Sequence, residues 1–186
     1  MDEAPASRRG RLLVASPTLV DPNFRRAVVL MLEHSPDGAL GVILNRPSET
    51  TAGEALPPPL ADLMSADALV HEGGPVQPEA VILLADFTDP ARAADVAVGS
   101  VGIVDPNGDV DGLHEVVAAV RAFGGYAGWS GGQLEQEIAE EAWIDAACLP
   151  EDVFTDDPDR LWSRVLDRKG GSWRIIARLP EDPSLN

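Results

Sequence analysis

Two unbroken apolar runs, residues 27–32 and 39–44, constrain this chain more than any other feature. Between them lies Ser35-Pro36-Asp37-Gly38, which fits a type I turn with Pro at its second position and Gly at its fourth. A strand with one face in water alternates apolar and polar residues, whereas an unbroken run is apolar on both faces. The pair therefore reads as a β-hairpin buried on both sides. The rest of the chain has to supply a cover for each side.

The flanking sequence supplies further elements. Residues 11–15 (Arg-Leu-Leu-Val-Ala) form a short strand closed by Ser16-Pro17, after a loose tail over residues 1–9. Residues 48–67, with Pro57-Pro58-Pro59, read as a loop holding one short helix near 59–64. Residues 68–71 and 81–84 are strands around a Gly73-Gly74-Pro75 turn, and residues 99–104 are a further strand. Leu113, Val116, Val117, Val120 and Phe123 recur at helical spacing, so a helix is expected there, with Asp111 as its cap and Gly124 as its stop. A second helix spans 131–141. A third spans 158–169, with Asp157 as cap, Pro158 first and Gly170 after it. Residues 173–177 read as extended. Strands early and helices late, without regular βαβ alternation, favour a single α+β domain over residues 10–186 with a mixed sheet.

Composition narrows the function classes. The chain has 186 residues and a formal net charge of −17. Residues 51–157 hold only Arg92 and Arg121 against twenty-one acidic residues, while residues 1–50 are balanced and 158–186 are slightly basic. Nucleic-acid binding draws its affinity from neutralised phosphates, so this balance speaks against direct contact with DNA or RNA. No apolar stretch has the ~18–20 residues of a membrane span, and the acidic start Met1-Asp2-Glu3 has no signal-peptide core behind it. Cys148 stands alone, so neither a disulfide nor a cysteine-rich metal site is expected. A cytoplasmic protein without metal or cofactor is the expectation.

Polar residues at the hairpin ends supply the candidate sites. At the turn end, Glu33 and His34 invite an acid–base reading, although strand neighbours point to opposite faces. At the other end an unbroken register sets Val28 opposite Asn45 and gathers Arg25, Arg26, Asn45 and Arg46, with Arg11 on the preceding strand. This basic cluster is the anion-binding candidate. It lies roughly 20 Å from His34 along the strands at ~3.3 Å per residue, so the two ends are separate sites. His71-Glu72-Gly73-Gly74-Pro75-Val76 is a weak phosphate-loop candidate that reads more simply as a tight turn. Ser130-Gly131-Gly132-Gln133 matches a capping box, which leaves Glu135 and Glu137 as the unexplained carboxylates of that helix. Glu33, His34, Glu72, Glu135 and Glu137 together are the polar set from which a hydrolase would be built.

The motifs Gly10-Arg11-Leu12-Leu13-Val14-Ala15-Ser16-Pro17, Asp21-Pro22-Asn23-Phe24-Arg25-Arg26, Glu33-His34, Asn45-Arg46-Pro47, Gly73-Gly74-Pro75-Val76, Gly125-Tyr126-Ala127-Gly128-Trp129 and Gly132-Gln133-Leu134-Glu135-Gln136-Glu137-Ile138 occur in this order. In that order they resemble the AlgH/YqgE family of bacterial proteins over residues 10 to about 166. The resemblance implies a bent sheet closing into a pseudo-barrel with helices outside, and no settled reaction. Part of the family carries a transcriptional-regulator label. After the Gly-Pro turn the family pattern has an Arg-Gly pair and later a His. Ala80, Val81 and Ala85 stand there in this chain, so a reaction depending on that Arg and His is lost or altered. The reading of the sequence is a non-catalytic binding or regulatory module for a protein partner or a small anionic ligand. A hydrolase and a transcriptional regulator are the alternatives.

Overall fold

The computed structural model describes residues 6–181. Ten strands carry the fold: β1 (Arg11–Ala15), β2 (Val28–Ser35), β3 (Gly38–Ile43), β4 (Pro47–Thr51), β5 (Leu69–Glu72), β6 (Val76–Phe87), β7 (Asp95–Val98), β8 (Val101–Ile103), β9 (Val117–Ser130) and β10 (Trp143–Ala147). Six short helices join them: α1 (Ala52–Ala55), α2 (Pro58–Ala61), α3 (Gln133–Ala139), α4 (Pro150–Val153), α5 (Leu161–Lys169) and α6 (Trp173–Ile176). None is long and apolar enough to cross a membrane among the described residues.

The hairpin is β2–β3, and it is covered on both faces. Leu12, Val14, Val28, Leu30 and Val42 pack on one side against Leu161, Trp162, Val165 and Leu166 of α5. Leu13, Val29, Met31 and Ile43 pack on the other against Trp129, Leu134 and Trp143. A third cluster under α1 and α2 joins Ala52, Leu60 and Val70 to Leu83, Ala85 and Phe87. The turn-proximal register is the expected one, with His34 opposite Ala39. A bulge at Leu32 then shifts it by one, so Met31 faces Gly41 and Val29 faces Ile43. Leu44, not Asn45, consequently stands opposite Val28, its backbone N–H donating to Val28 O.

The strand path runs β10-β1-β2-β3-β9-β6-β8-β7, with β4 pairing β5 and β5 lying parallel to β9. It is a mixed, sheet-dominated α+β domain. The path has two ends, so the expected closed pseudo-barrel is not formed by strand pairing. The β7 edge does curl toward the chain ahead of β1: Arg9 Nη2 donates to Val96 O at 2.9 Å and pairs with Asp95. Side chains make that contact in place of a ladder. Of the tail expected over residues 1–9, residues 1–5 lie outside the described residues, and Arg8 and Arg9 are tied down.

Three expectations are corrected. The predicted helix over 111–124 is a single 3-10 turn, Asp111–Leu113, followed by the long strand β9. Its valines are β-branched, and β6 pairs with it from Gly124 back to Val117, a long-range partner that local spacing does not reveal. Residues 173–177 contain a helical turn where an extended segment was expected. Helix α5 starts at Leu161, capped from Arg160, so Asp157 and Pro158 lie ahead of it. Strands β4, β7 and β10 have no counterpart in the sequence reading.

β9 changes neighbours along its length. Phe123 and Gly124 pair with β5, whereas Ala127 to Ser130 pair with β3. The chain from Glu72 to Pro75 crosses at this change, with Gly73 N–H donating to Gly124 O and Gly73 O accepting from Ile43 N–H. Gly125 has φ +71°, and a Cβ there would lie 2.5 Å from Gly74 O; one at Gly74 would lie 2.1 Å from Tyr126 C. Only glycine lets these backbones approach so closely. Gly124 and Gly125 are thus the point where the sheet splits.

Candidate functional site

At the turn end of the hairpin, the polar residues are paired with one another. His34 Nε2 lies 2.6 Å from Glu135 Oε1, and Arg8 N–H donates to His34 Nδ1 at 3.0 Å. With Nδ1 held as an acceptor, the imidazole donates from Nε2, so both ring nitrogens are engaged. The His34 side chain is 4% exposed. Burial raises the Glu135 carboxyl pKa, but the bonds to its own backbone and to His34 together outweigh it and leave the pKa below the ordinary value, so Glu135 is the ionised partner. Glu137 is a clamp: its Oε2 accepts from both indoles, Trp129 at 2.9 Å and Trp143 at 2.8 Å, and its Oε1 accepts from Gln133 at 3.0 Å. The clamp fixes an aromatic cluster of Phe24, Trp129 and Trp143. Gly132, at φ 77°, caps α3, and Gln133 Oε1 accepts from Ser130 N–H at 3.0 Å, so the capping box is only half formed. Of the five-residue polar set, only His34 and Glu135 meet. Glu33 is exposed, and Glu72 lies at the opposite end of the hairpin. Among the described residues no group of three His, Cys, Asp or Glu has metal-holding geometry.

The basic cluster is only partly brought together. Arg11 is at the wrong end, because β1 runs antiparallel to β2; it pairs with Asp145, as does Arg8. Asn45 is a structural brace, with Oδ1 accepting from Val28 N–H and Nδ2 donating to Arg26 O, both at 2.9 Å. Arg46 donates to Pro22 O at 3.0 Å and to Arg25 O at 2.7 Å, which fixes the loop over residues 21–26. That loop is a partition between two clefts. Asn23 and Arg46 face one, and Arg25 and Arg26 face the other.

The first cleft, about 540 Å³, lies at the split in the sheet. Val70, Val81 and Gly124 contribute its apolar lining, and Ser48, Thr50, Glu72 and Glu79 line it from β4, β5 and β6. At Gly124 a Cβ would meet Pro78 O at 3.2 Å and Val70 Cγ1 at 3.8 Å. His71 also lines the cleft and is 5% exposed. Its Nδ1 lies 3.3 Å from Leu69 O, and its Nε2 is buried with no hydrogen-bond partner among the described residues. Burial first, and then the Arg121 guanidinium, lower its pKa to about 4, so the ring is neutral at physiological pH. Arg121 itself is anchored on Val153 O and Thr155 O.

His71 entered the sequence reading only as the end of the 68–71 strand and the start of the weak phosphate-loop candidate, and its own role was missed because that loop read more simply as a turn. The Gly73 N–H and O are both taken up by the strand crossing, on Gly124 O and Ile43 N–H. Ala85 is fully buried in the core beside Leu83 and Phe87, so this chain has no polar group at that position. Cys148 is held as a thiol, its pKa raised to about 12 by burial and by Asp152, and Asp152 is bound by Arg168 at 2.7 and 3.0 Å.

Residues 12–174 match the family described as AlgH-like. The chain belongs to the AlgH-like family. A UPF0301 protein of Streptomyces coelicolor is 43% identical, covering 97% of this chain and 96% of that protein. Another from Thermobifida fusca is 45% identical over 97% and 96% of the two chains. The crystal structure of a Corynebacterium diphtheriae protein superposes with a TM-score of 0.84 at 27% identity, covering 96% of this chain and 94% of that one. The solution structure of AlgH from Pseudomonas aeruginosa, at 24% identity and a TM-score of 0.71, shares the fold.

Proposed function

We propose that this AlgH-like protein is a binding module whose site is the cleft at the split sheet. The observation that carries the reading is His71: a buried imidazole acceptor without a donor, in the lining of a cavity of small-molecule size. An unmet buried acceptor costs roughly 1–3 kcal/mol, which a ligand donor recovers on binding. The other side chains favour the same class of ligand. Glu72 and Glu79 are acceptors, Ser48 already donates its hydroxyl hydrogen to Val70 O, Thr50 and Asn23 act either way, and both terminal nitrogens of Arg46 already bond to Pro22 and Arg25 carbonyls. A compact ligand rich in hydroxyl or N–H donors fits this lining better than an anion does.

The same residue supports binding over catalysis. A histidine with a pKa near 4 is a weak base at neutral pH, and efficient general bases lie near the working pH. The test is thermal stabilisation of the full chain by a panel of small polyols and amines. Stabilisation grows as RT ln(1 + [L]/Kd), so a ligand at 100 times its Kd adds about 2.7 kcal/mol. Gly124→Val places a side chain toward Val70 and Pro78 and is expected to remove the effect. No stabilising compound, or stabilisation that survives Gly124→Val, would sink the proposal.

A further inference from the structure

On the far side of the 21–26 partition a second cleft, about 440 Å³, is lined by Arg25, Arg26, Trp162, Ser16 and Val20, and by the chain's own Leu179-Pro180-Glu181. Arg26 holds a left-handed backbone, φ 55°, which a β-carbon disfavours. Its guanidinium sits 4.3 Å over the Trp162 ring. Trp162 is buried and fixed by its own bond to Ala15 O at 2.8 Å. Arg26 Nη2 then donates to Leu179 O, and Arg25 Nη2 donates to Glu181 O. Two arginines, one of them oriented by a buried ring, thus grip the main chain of a segment that only passes over the surface.

We propose that this cleft is a docking site for an extended acidic peptide of a partner protein, and that residues 179–181 occupy it in cis as a stand-in. The carbonyl oxygens of Leu179 and Glu181 mark where the partner's acceptors sit. The donors there are already charged guanidiniums, so a carboxylate in place of a neutral carbonyl adds opposite-charge attraction and a second oxygen for the guanidinium fork, and a partner carrying carboxylates displaces the tether. The apolar lining sets the second requirement. Val20 is 76% exposed and Leu179 is 42% exposed, so an aliphatic side chain next to the acid covers surface that water now meets. Because the tether competes at an effective concentration on the order of mM, docking is weak until the segment lets go.

The probe is a fluorescent peptide with the sequence of residues 179–186, titrated onto the full chain and followed by anisotropy. Leu179→Gly with Pro180→Gly loosens the internal segment and is expected to tighten peptide binding at least tenfold. Arg25→Gln or Arg26→Gln in that background is expected to weaken it at least tenfold. His71→Leu, in the other cleft, is expected to leave it unchanged. Equal binding to the loosened and unaltered chains, or insensitivity to both arginine substitutions, would overturn the proposal. Arg25 is exposed, so its substitution keeps the test valid if the Arg26 variant fails to fold. A concentration-dependent dimer in sedimentation, abolished by Arg25→Gln, would also overturn it by giving the cleft to a second copy.

Discussion

The two ends of the β2–β3 hairpin contain similar residue types and put them to opposite use. At the turn end His34, Glu135, Glu137, Trp129 and Trp143 are paired with one another, and both His34 ring nitrogens and both indole N–H groups have protein partners. At the other end the sheet splits, two clefts open beside the 21–26 loop, and His71 keeps a buried acceptor unmet. A histidine beside a carboxylate is the more familiar sign of chemistry, yet here it is the folded-in pair. The incomplete histidine is the better indicator of a ligand.

The largest effect should come from breaking the crossing that creates the cleft. Gly125→Ala forces a β-carbon into a left-handed backbone and against Gly74 O, and about 3–5 kcal/mol of destabilisation is expected in urea unfolding. Next is the clamp at the paired end. Glu137→Ala leaves two buried indole N–H groups without acceptors and should cost about 3 kcal/mol, with loss of near-ultraviolet tryptophan ellipticity.

A smaller effect reads His71 through pH. His71 has its pKa lowered from 6.5 to about 4, so between these values the unfolded chain binds more protons than the folded one. Stability from this residue is therefore fully present above pH 6.5 and lost as pH falls toward 4, by up to about 3 kcal/mol. His71→Leu should flatten stability against pH across this window while leaving neutral-pH stability equal or higher. A slope unchanged by His71→Leu would contradict the buried, neutral assignment. Smallest is Arg46→Ala, which releases the loop from two carbonyl ties and should cost about 1–2 kcal/mol, with faster amide exchange over residues 21–26.

The hairpin was legible because unbroken apolar runs have few alternatives once a Pro-Asp-Gly turn lies between them. β9 was not, because its apolar residues fit a helical stripe as well as a strand, and only the distant β6 decides between them. The arginine cluster was half legible. Register alone brought Arg25, Arg26 and Arg46 to one end, but it did not show the Leu32 bulge, or that Arg46 is spent on carbonyls. Glu137 could be placed on a helix, but its two indole partners come from β9 and β10. His71 left the faintest trace, one polar residue beside a Gly-Gly-Pro turn, because an unsatisfied nitrogen is a property of surroundings assembled from several strands.

The contrast between the ends is tested most directly by mapping amide and imidazole chemical shifts of the isotope-labelled full chain against a library of small alcohols and amines. The account predicts that the perturbed resonances gather on Ser48, Thr50, Val70 to Gly74 and Gly124, with the His71 ring among them and the His34 ring unmoved. Perturbations centred on His34, Glu135 and the start of α3 would contradict it.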